Sequence, residues 1–189
     1  MKSVLISIQP KWCEPIASGI KTVEVRKTKP KIETPFKAYI YCTKGNQYLQ
    51  SRNNSIFYLE DRDFIGGHGA GLYVRLNGMV IGEFVCNKIE DLRYDALEMT
   101  YFSRKYRDAK LLDEEFFPGT QVTYQEAYDY CKGMSYGEED SDLFYGWHIS
   151  DLKIYDKPRE LSEFSKYGFE HPVPLKRPPQ SWMYVEVEE

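Results

Sequence analysis

Apolar residues fall mostly into short, strand-length runs along this chain, and stretches with helical spacing are brief. Ser3-Val4-Leu5-Ile6-Ser7-Ile8 predicts a buried strand, Gln9-Pro10-Lys11 a turn, and Trp12 to Ser18 one or two helical turns ended by Gly19. The pattern then switches to alternation. Thr22, Glu24 and Arg26 fall on one side of an extended segment and Val23 and Val25 on the other, so this strand reads as half core and half polar. Phe36 to Cys42 predicts a third strand whose inward set is Ala38, Ile40 and Cys42 or the alternate register.

Gly45 to Gly71 breaks the pattern. Its asparagines and the Gly66-Gly67-His68-Gly69-Ala70-Gly71 run predict an inserted loop with a short hairpin or helix around Ile56 to Leu59. The glycines match no phosphate-loop pattern, and His68 among them reads as exposed. Asn77-Gly78, between Leu72 to Leu76 and Met79 to Cys86, predicts a hairpin with a type I′ turn. Residues 90–142 are acidic and helix-biased, with one helix over Asp91 to Arg107. A second starts at a capping box formed by Thr123 and Glu126 and ends at Gly133. Beyond the acidic linker Gly137 to Asp142, Leu143 to Tyr155 reads as a long strand with His148 at its centre, better explained as a packed residue than as a catalytic one. Pro158 to Pro179 is a proline-punctuated excursion over the surface, and Trp182 to Val187 alternates as the last strand.

Charge changes this picture at one place. Lys21, Glu24 and Arg26 crowd the start of the second strand. Such a group is either an exposed ion pair worth roughly 0–1 kcal/mol or a site. The net charge of −4 argues against nucleic acid until it is divided along the chain. Residues 1–50 carry nine basic side chains against three acidic ones, a balance of +6 that leaves −10 for the rest. Fields are screened over about 8–10 Å at physiological salt, so a distant acidic surface does not cancel a basic patch. Lys27-Thr28-Lys29-Pro30-Lys31 reads as part of that patch or as a solvated connector.

Composition adds less. At 189 residues the chain suits one domain, and 15% aromatics with 16 Tyr favour a strand-rich fold with amphipathic contact surfaces. No apolar run approaches the roughly 18 residues of a membrane span, and a cytoplasmic protein with no membrane association is expected. Cys13, Cys42, Cys86 and Cys131 show neither Cys-x-x-Cys spacing nor a nearby His, which argues for reduced thiols and against a metal site. No cofactor is expected.

The order strand, one-turn helix, Gly-x-Lys, strand is carried by Ser7-Ile8-Gln9-Pro10-Lys11-Trp12, Ile16, Gly19, Lys21, Glu24 and Arg26. In these residues the sequence resembles the ASCH superfamily, a branch of the PUA-like β-barrels. Arg177-Pro178-Pro179-Gln180-Ser181-Trp182 and Tyr145-Gly146-Trp147-His148-Ile149-Ser150-Asp151-Leu152 look like the corresponding runs of longer ASCH-type proteins of bacteria and their phages. The resemblance covers both ends of the chain and is thin in its middle. Pattern and resemblance together predict an α+β, mostly β fold. It would be a single ASCH/PUA-like β-barrel domain over residues 1–189 with short helices, an insertion at about 45–71 and a helical segment at about 90–133.

The resemblance implies RNA or modified-nucleotide binding in a cleft built by Lys11, Trp12, Lys21, Glu24, Arg26, Lys27 and Lys29, with Trp12 stacking a base or anchoring its helix. It also implies an alternative. Some small members hydrolyse N-acylated cytidine and others cleave RNA, which would make Lys21 a base or nucleophile and Glu24 the group that orients it or moves a proton. In the amidohydrolase members a Thr stands where this chain has Glu24. A carboxylate there favours the charged ammonium and weakens the transfer of that activity. A third reading is a protein partner docked on the aromatic surface.

Overall fold

The computed structural model describes residues 2–52, 55–59, 74–93, 117–131 and 143–187. The glycine run with His68, the helix expected beyond residue 93, Gly133 and the acidic linker lie outside the described residues. Ten strands and two helices follow in the order β1 (Ser3–Ile8), α1 (Pro10–Ala17), β2 (Val23–Arg26), β3 (Phe36–Cys42), β4 (Tyr48–Arg52), β5 (Ser55–Leu59), β6 (Val74–Arg75), β7 (Val80–Arg93), α2 (Tyr124–Cys131), β8 (Leu143–Arg159), β9 (Ser165–Lys166) and β10 (Trp182–Glu186). A 3₁₀ turn, Leu161–Glu163, precedes β9.

Seven strands form one sheet in the order β2-β8-β7-β3-β1-β10-β9, and β5-β4-β6 form a second. β1 and β3 run parallel, Val4 opposite Ala38 and Ile8 opposite Cys42, while the other pairs of the large sheet are antiparallel. Among the described residues its end strands β2 and β9 do not pair with each other, so the sheet is open there and does not form the closed barrel expected.

β1 is buried along its whole length because both faces of the sheet are covered at this point. Val4, Ile6 and Ile8 join Ala38, Ile40 and Cys42 beneath α1, whereas Leu5 packs with Tyr39, Tyr41, Phe164 and Val185 on the opposite side. Both registers expected for β3 are therefore buried, Ala38, Ile40 and Cys42 beneath α1 and Tyr39 and Tyr41 on the opposite side. Cys13, Cys42 and Cys86 are buried free thiols. Burial pushes the Cys86 thiol up to about 12, which keeps it protonated.

Two segments differ from expectation. Residues 91–93 continue β7 instead of opening a helix, and β7 pairs with β8 as far as Arg93 opposite Leu143. Asn77-Gly78 does not join two paired strands of the large sheet, because β6 pairs with β4 in the small one. Only Gly78 has positive φ, at 86°, and type I′ needs it at both central positions. Asn77 instead turns inward. Its side chain accepts from the Leu49 N–H at 2.9 Å and donates to the carbonyls of Thr43 and Gln47 at 3.1 and 2.9 Å. The amide therefore pins the β4 hairpin to the end of β3. Among the described residues no helix is long and apolar enough to cross a membrane.

Candidate functional site

Pro10 starts α1 and a left-handed Gly19 (φ 76°) ends it. The Lys21 N–H then donates back to the Pro15 carbonyl at 2.8 Å, which turns the Lys21 side chain inward below Trp12. Its ammonium lies 5.0 Å from the Trp12 ring centre, donates to the Thr120 carbonyl and stands 3.4 Å from Glu24 Oε2. Glu24 Oε1 meets Arg26 Nη2 at 2.9 Å, and the same guanidinium donates to the Ser7 carbonyl at 2.6 Å.

Lys21, Glu24 and Arg26 are 1%, 5% and 8% exposed. The polar face of β2 is therefore its buried face, and the reading of an exposed ion pair does not hold. Two buried cations share one buried carboxylate, an arrangement whose desolvation cost makes it poor as a source of stability and effective as a source of fixed charge. Arg26 Nε is buried without a hydrogen-bond partner, a deficit of roughly 1–3 kcal/mol.

A turn that sequence reasoning missed holds this group in place. Gly119, at φ 83°, passes so close to β2 that a Cβ there would collide with the Thr22 hydroxyl, and its carbonyl accepts from both Thr22 N–H and Val23 N–H at 2.8 and 2.9 Å. The fully buried Thr120 donates its hydroxyl to the Phe117 carbonyl at 2.6 Å, which fixes the carbonyl that receives Lys21. Phe117-Pro118-Gly119-Thr120 is a plain turn signal in the sequence, but nothing local shows that it docks on β2.

Over this floor lies a cleft of about 620 Å³. Trp12, Tyr130 and Phe144 supply its aromatic walls, and Gln9, Gln180 and Ser181 bring polar edges. Tyr130 and Phe144 stack at 5.5 Å and 22°. The capping box of α2 forms as expected, Glu126 Oε2 accepting from the Thr123 N–H at 3.1 Å. The other oxygen of Glu126 binds Lys11 Nζ at 2.9 Å, so the same carboxylate caps α2 and ties it to α1 across the mouth of the cleft.

Of the residues expected at the site, Lys11, Trp12, Lys21, Glu24 and Arg26 line the cleft together. Lys27 sits outside it with its ammonium 4.5 Å from the Tyr130 ring, and Lys29 faces away, 3.4 Å from Asp91 Oδ1. Trp12 packs partly buried on the main core, as a helix anchor would, and also lines the cleft. His148 is not a core residue. It is part exposed within β8, opposite Val23 of β2, with Nε2 2.9 Å from Glu90 Oε2. Hydrogen bonds from Lys88 and then His148 hold the Glu90 carboxyl below its ordinary range.

An open, mostly β sheet with a parallel β1–β3 pair and a short helix before Gly-x-Lys defines an ASCH-type fold. The solved structures that share it include ASCH from Zymomonas mobilis, with 19% identity and a TM-score of 0.53 over 97% of this chain and 87% of that one. A Tyr-to-Phe variant of the Zymomonas protein matches at 20% identity and a TM-score of 0.52, over 98% of this chain and 91% of that one. A Ser-to-Ala variant matches at 19% and 0.51, over 97% and 88%. No protein-family profile and no curated protein sequence matches the chain.

Proposed function

We propose that the cleft binds RNA or a modified nucleotide, seating a base against Trp12 and directing its polar edge or phosphate toward Lys21, Glu24 and Arg26. The observation that carries this reading is the buried triad at the floor of a cleft of about 620 Å³ with aromatic walls. A base needs an apolar face to stack on and fixed donors and acceptors at its edge, and both are present within one cavity. Lys27, over the Tyr130 wall, stands as a phosphate contact, whereas Lys11 and Lys29 contribute less because Glu126 and Asp91 already face them.

In this reading Lys21 is a positioning charge, not a nucleophile: its ammonium is committed to the Thr120 carbonyl and to Glu24. Catalysis would require that ammonium to lose a proton beside a carboxylate that stabilises it.

The test is titration of nucleoside monophosphates and short single-stranded RNA against wild type, Trp12→Ala and Lys21→Arg, with hydrolysis of N4-acetylcytidine and RNA followed in parallel. Trp12→Ala should weaken binding by roughly 1–3 kcal/mol, about 5- to 150-fold. Lys21→Arg should retain much of the affinity, since a cation remains, although its planar fork fits the seat differently. Turnover by wild type that disappears in Lys21→Arg would make this an enzyme instead, because arginine serves as neither base nor amine nucleophile. Absence of binding by every nucleotide and RNA would remove the reading.

A further inference from the structure

We infer that the ligand of the cleft is a polynucleotide and not a free nucleotide, and that its backbone continues over Thr43 into a second groove carrying Lys44, Lys176 and Arg177. This rests on the reading of the cleft given above and adds the class of ligand to it. The second groove encloses about 700 Å³ on the outer side of the β3 end, and Thr43 lines both cavities. The same C-terminal segment walls the two: residues 176–178 border the second groove and residues 180–181 the cleft. Ser7 fastens it between them, its hydroxyl donating to the Pro179 carbonyl at 2.7 Å and its N–H to the Ser181 carbonyl at 2.9 Å. The two cavities are thus consecutive stations along one ridge.

The charge of the second groove is of the kind that meets phosphate. Lys44, Lys176 and Arg177 are exposed, and none of them makes an ion pair with a described residue. Lys44 lies across the Gly78 turn, where a Cβ would stand 2.6 Å from its Cε, so the lysine stem is laid along the groove wall. One acid lines the groove, Glu160, whose side chain caps the 3₁₀ turn, while Glu163 pairs with Arg159 at 2.9 Å. Three cations against one carboxylate, beside a base-sized cleft, match a sugar–phosphate strand leaving that cleft. A mononucleotide, filled by the cleft alone, would leave them unused.

The experiment measures affinity for uridine and cytidine monophosphates and for oligouridylates of two to eight nucleotides, at two salt concentrations, with wild type and a Lys176→Ala/Arg177→Ala variant. Affinity should rise with length past the first nucleotides. The variant should bind monophosphates as wild type does and lose oligonucleotide affinity. Two lost phosphate contacts lower the single-strand salt slope by about 1.4, so wild type should lose about sevenfold more oligonucleotide affinity than the variant over a fourfold rise in salt. Thermal melting of the variant at the wild-type temperature excludes a folding defect. Equal affinity for monophosphates and oligonucleotides, or oligonucleotide binding untouched by the double substitution, would overturn the polynucleotide inference while leaving the cleft in place. Binding of neither class would overturn both.

Discussion

Lys21 and Arg26 on one hand, and Lys27, Lys29 and Lys31 on the other, lie within eleven consecutive residues, and the fold treats them in opposite ways. The first two are buried and share Glu24 at 3.4 and 2.9 Å. The others lie on a connector that runs over the outer surface, fastened where Trp182 donates its indole N–H to the Thr28 hydroxyl at 2.9 Å and the Lys31 N–H donates to the Tyr184 hydroxyl at 2.6 Å. Exposed cations remain hydrated and screened, whereas cations withdrawn from water with one shared carboxylate keep both position and field. Burial, not the density of lysines, separates a charge held in one place from one that solvates a loop.

Replacing Glu24 attacks this contrast most strongly. Glu24→Gln leaves two buried cations facing each other without a counter-charge and should cost about 3–5 kcal/mol. It would be read as a fall in the urea midpoint at unchanged slope. Adding Lys21→Met to the same chain should recover part of that loss by removing one stranded charge. A cost below about 1 kcal/mol for Glu24→Gln would place the triad in the same class as the exposed pairs.

Much of the floor was legible because its residues are local: the helix stop at Gly19 and the alternation through Arg26 put Lys21, Glu24 and Arg26 within a few positions of one another. Their burial was not legible, since it comes from segments far along the chain. Thr120 reaches Lys21 across 99 positions, and Ser7 is bonded to Pro179 across 172. The capping box could be read from Thr123 and Glu126, but not the second task of Glu126, because its partner Lys11 lies 115 positions away. The strand through Arg93 was missed for a different reason. Asp91-Leu92-Arg93 has polar-apolar spacing that suits either period, and pairing with β8 decides it.

A third set of charges lies between the two extremes and tests the comparison by pH. Glu83, on β7, accepts from the Tyr155 hydroxyl at 2.6 Å and from Lys37 Nζ at 3.3 Å. Burial pushes its carboxyl up, but the hydrogen bonds from Tyr155 and Lys37 outweigh that and hold it below its ordinary value of 4.5. A depressed folded value stabilises the charged form, so the contribution is complete above 4.5 and is lost as the pH falls through the lower folded value. In melts between about pH 6 and pH 3, Glu83→Gln should cost about 1 kcal/mol at the upper end and nearly nothing at the lower, flattening the acid limb. An acid limb unchanged by Glu83→Gln would show that this carboxylate is as unimportant as a fully hydrated one.

The smallest effects separate the exposed lysines from each other. Lys27 stands over Tyr130, a wall of the cleft, with no carboxylate ion pair among the described residues, while Lys29 already faces Asp91 and is half exposed. Neither should matter much for stability, since exposed pairs are worth roughly 0–1 kcal/mol. For RNA binding they should differ. Lys27→Ala should remove one phosphate contact, lowering the salt slope by about 0.7 and the affinity only a few-fold. Lys29→Ala should leave the slope where it was, because Asp91 has taken the counter-ion's place and no bound cation-to-phosphate exchange is gained or lost. Affinities at four salt concentrations for the two single variants decide it: a slope that falls equally in both would mean that proximity to the cleft wall confers nothing, and that the whole lysine run acts as one diffuse patch.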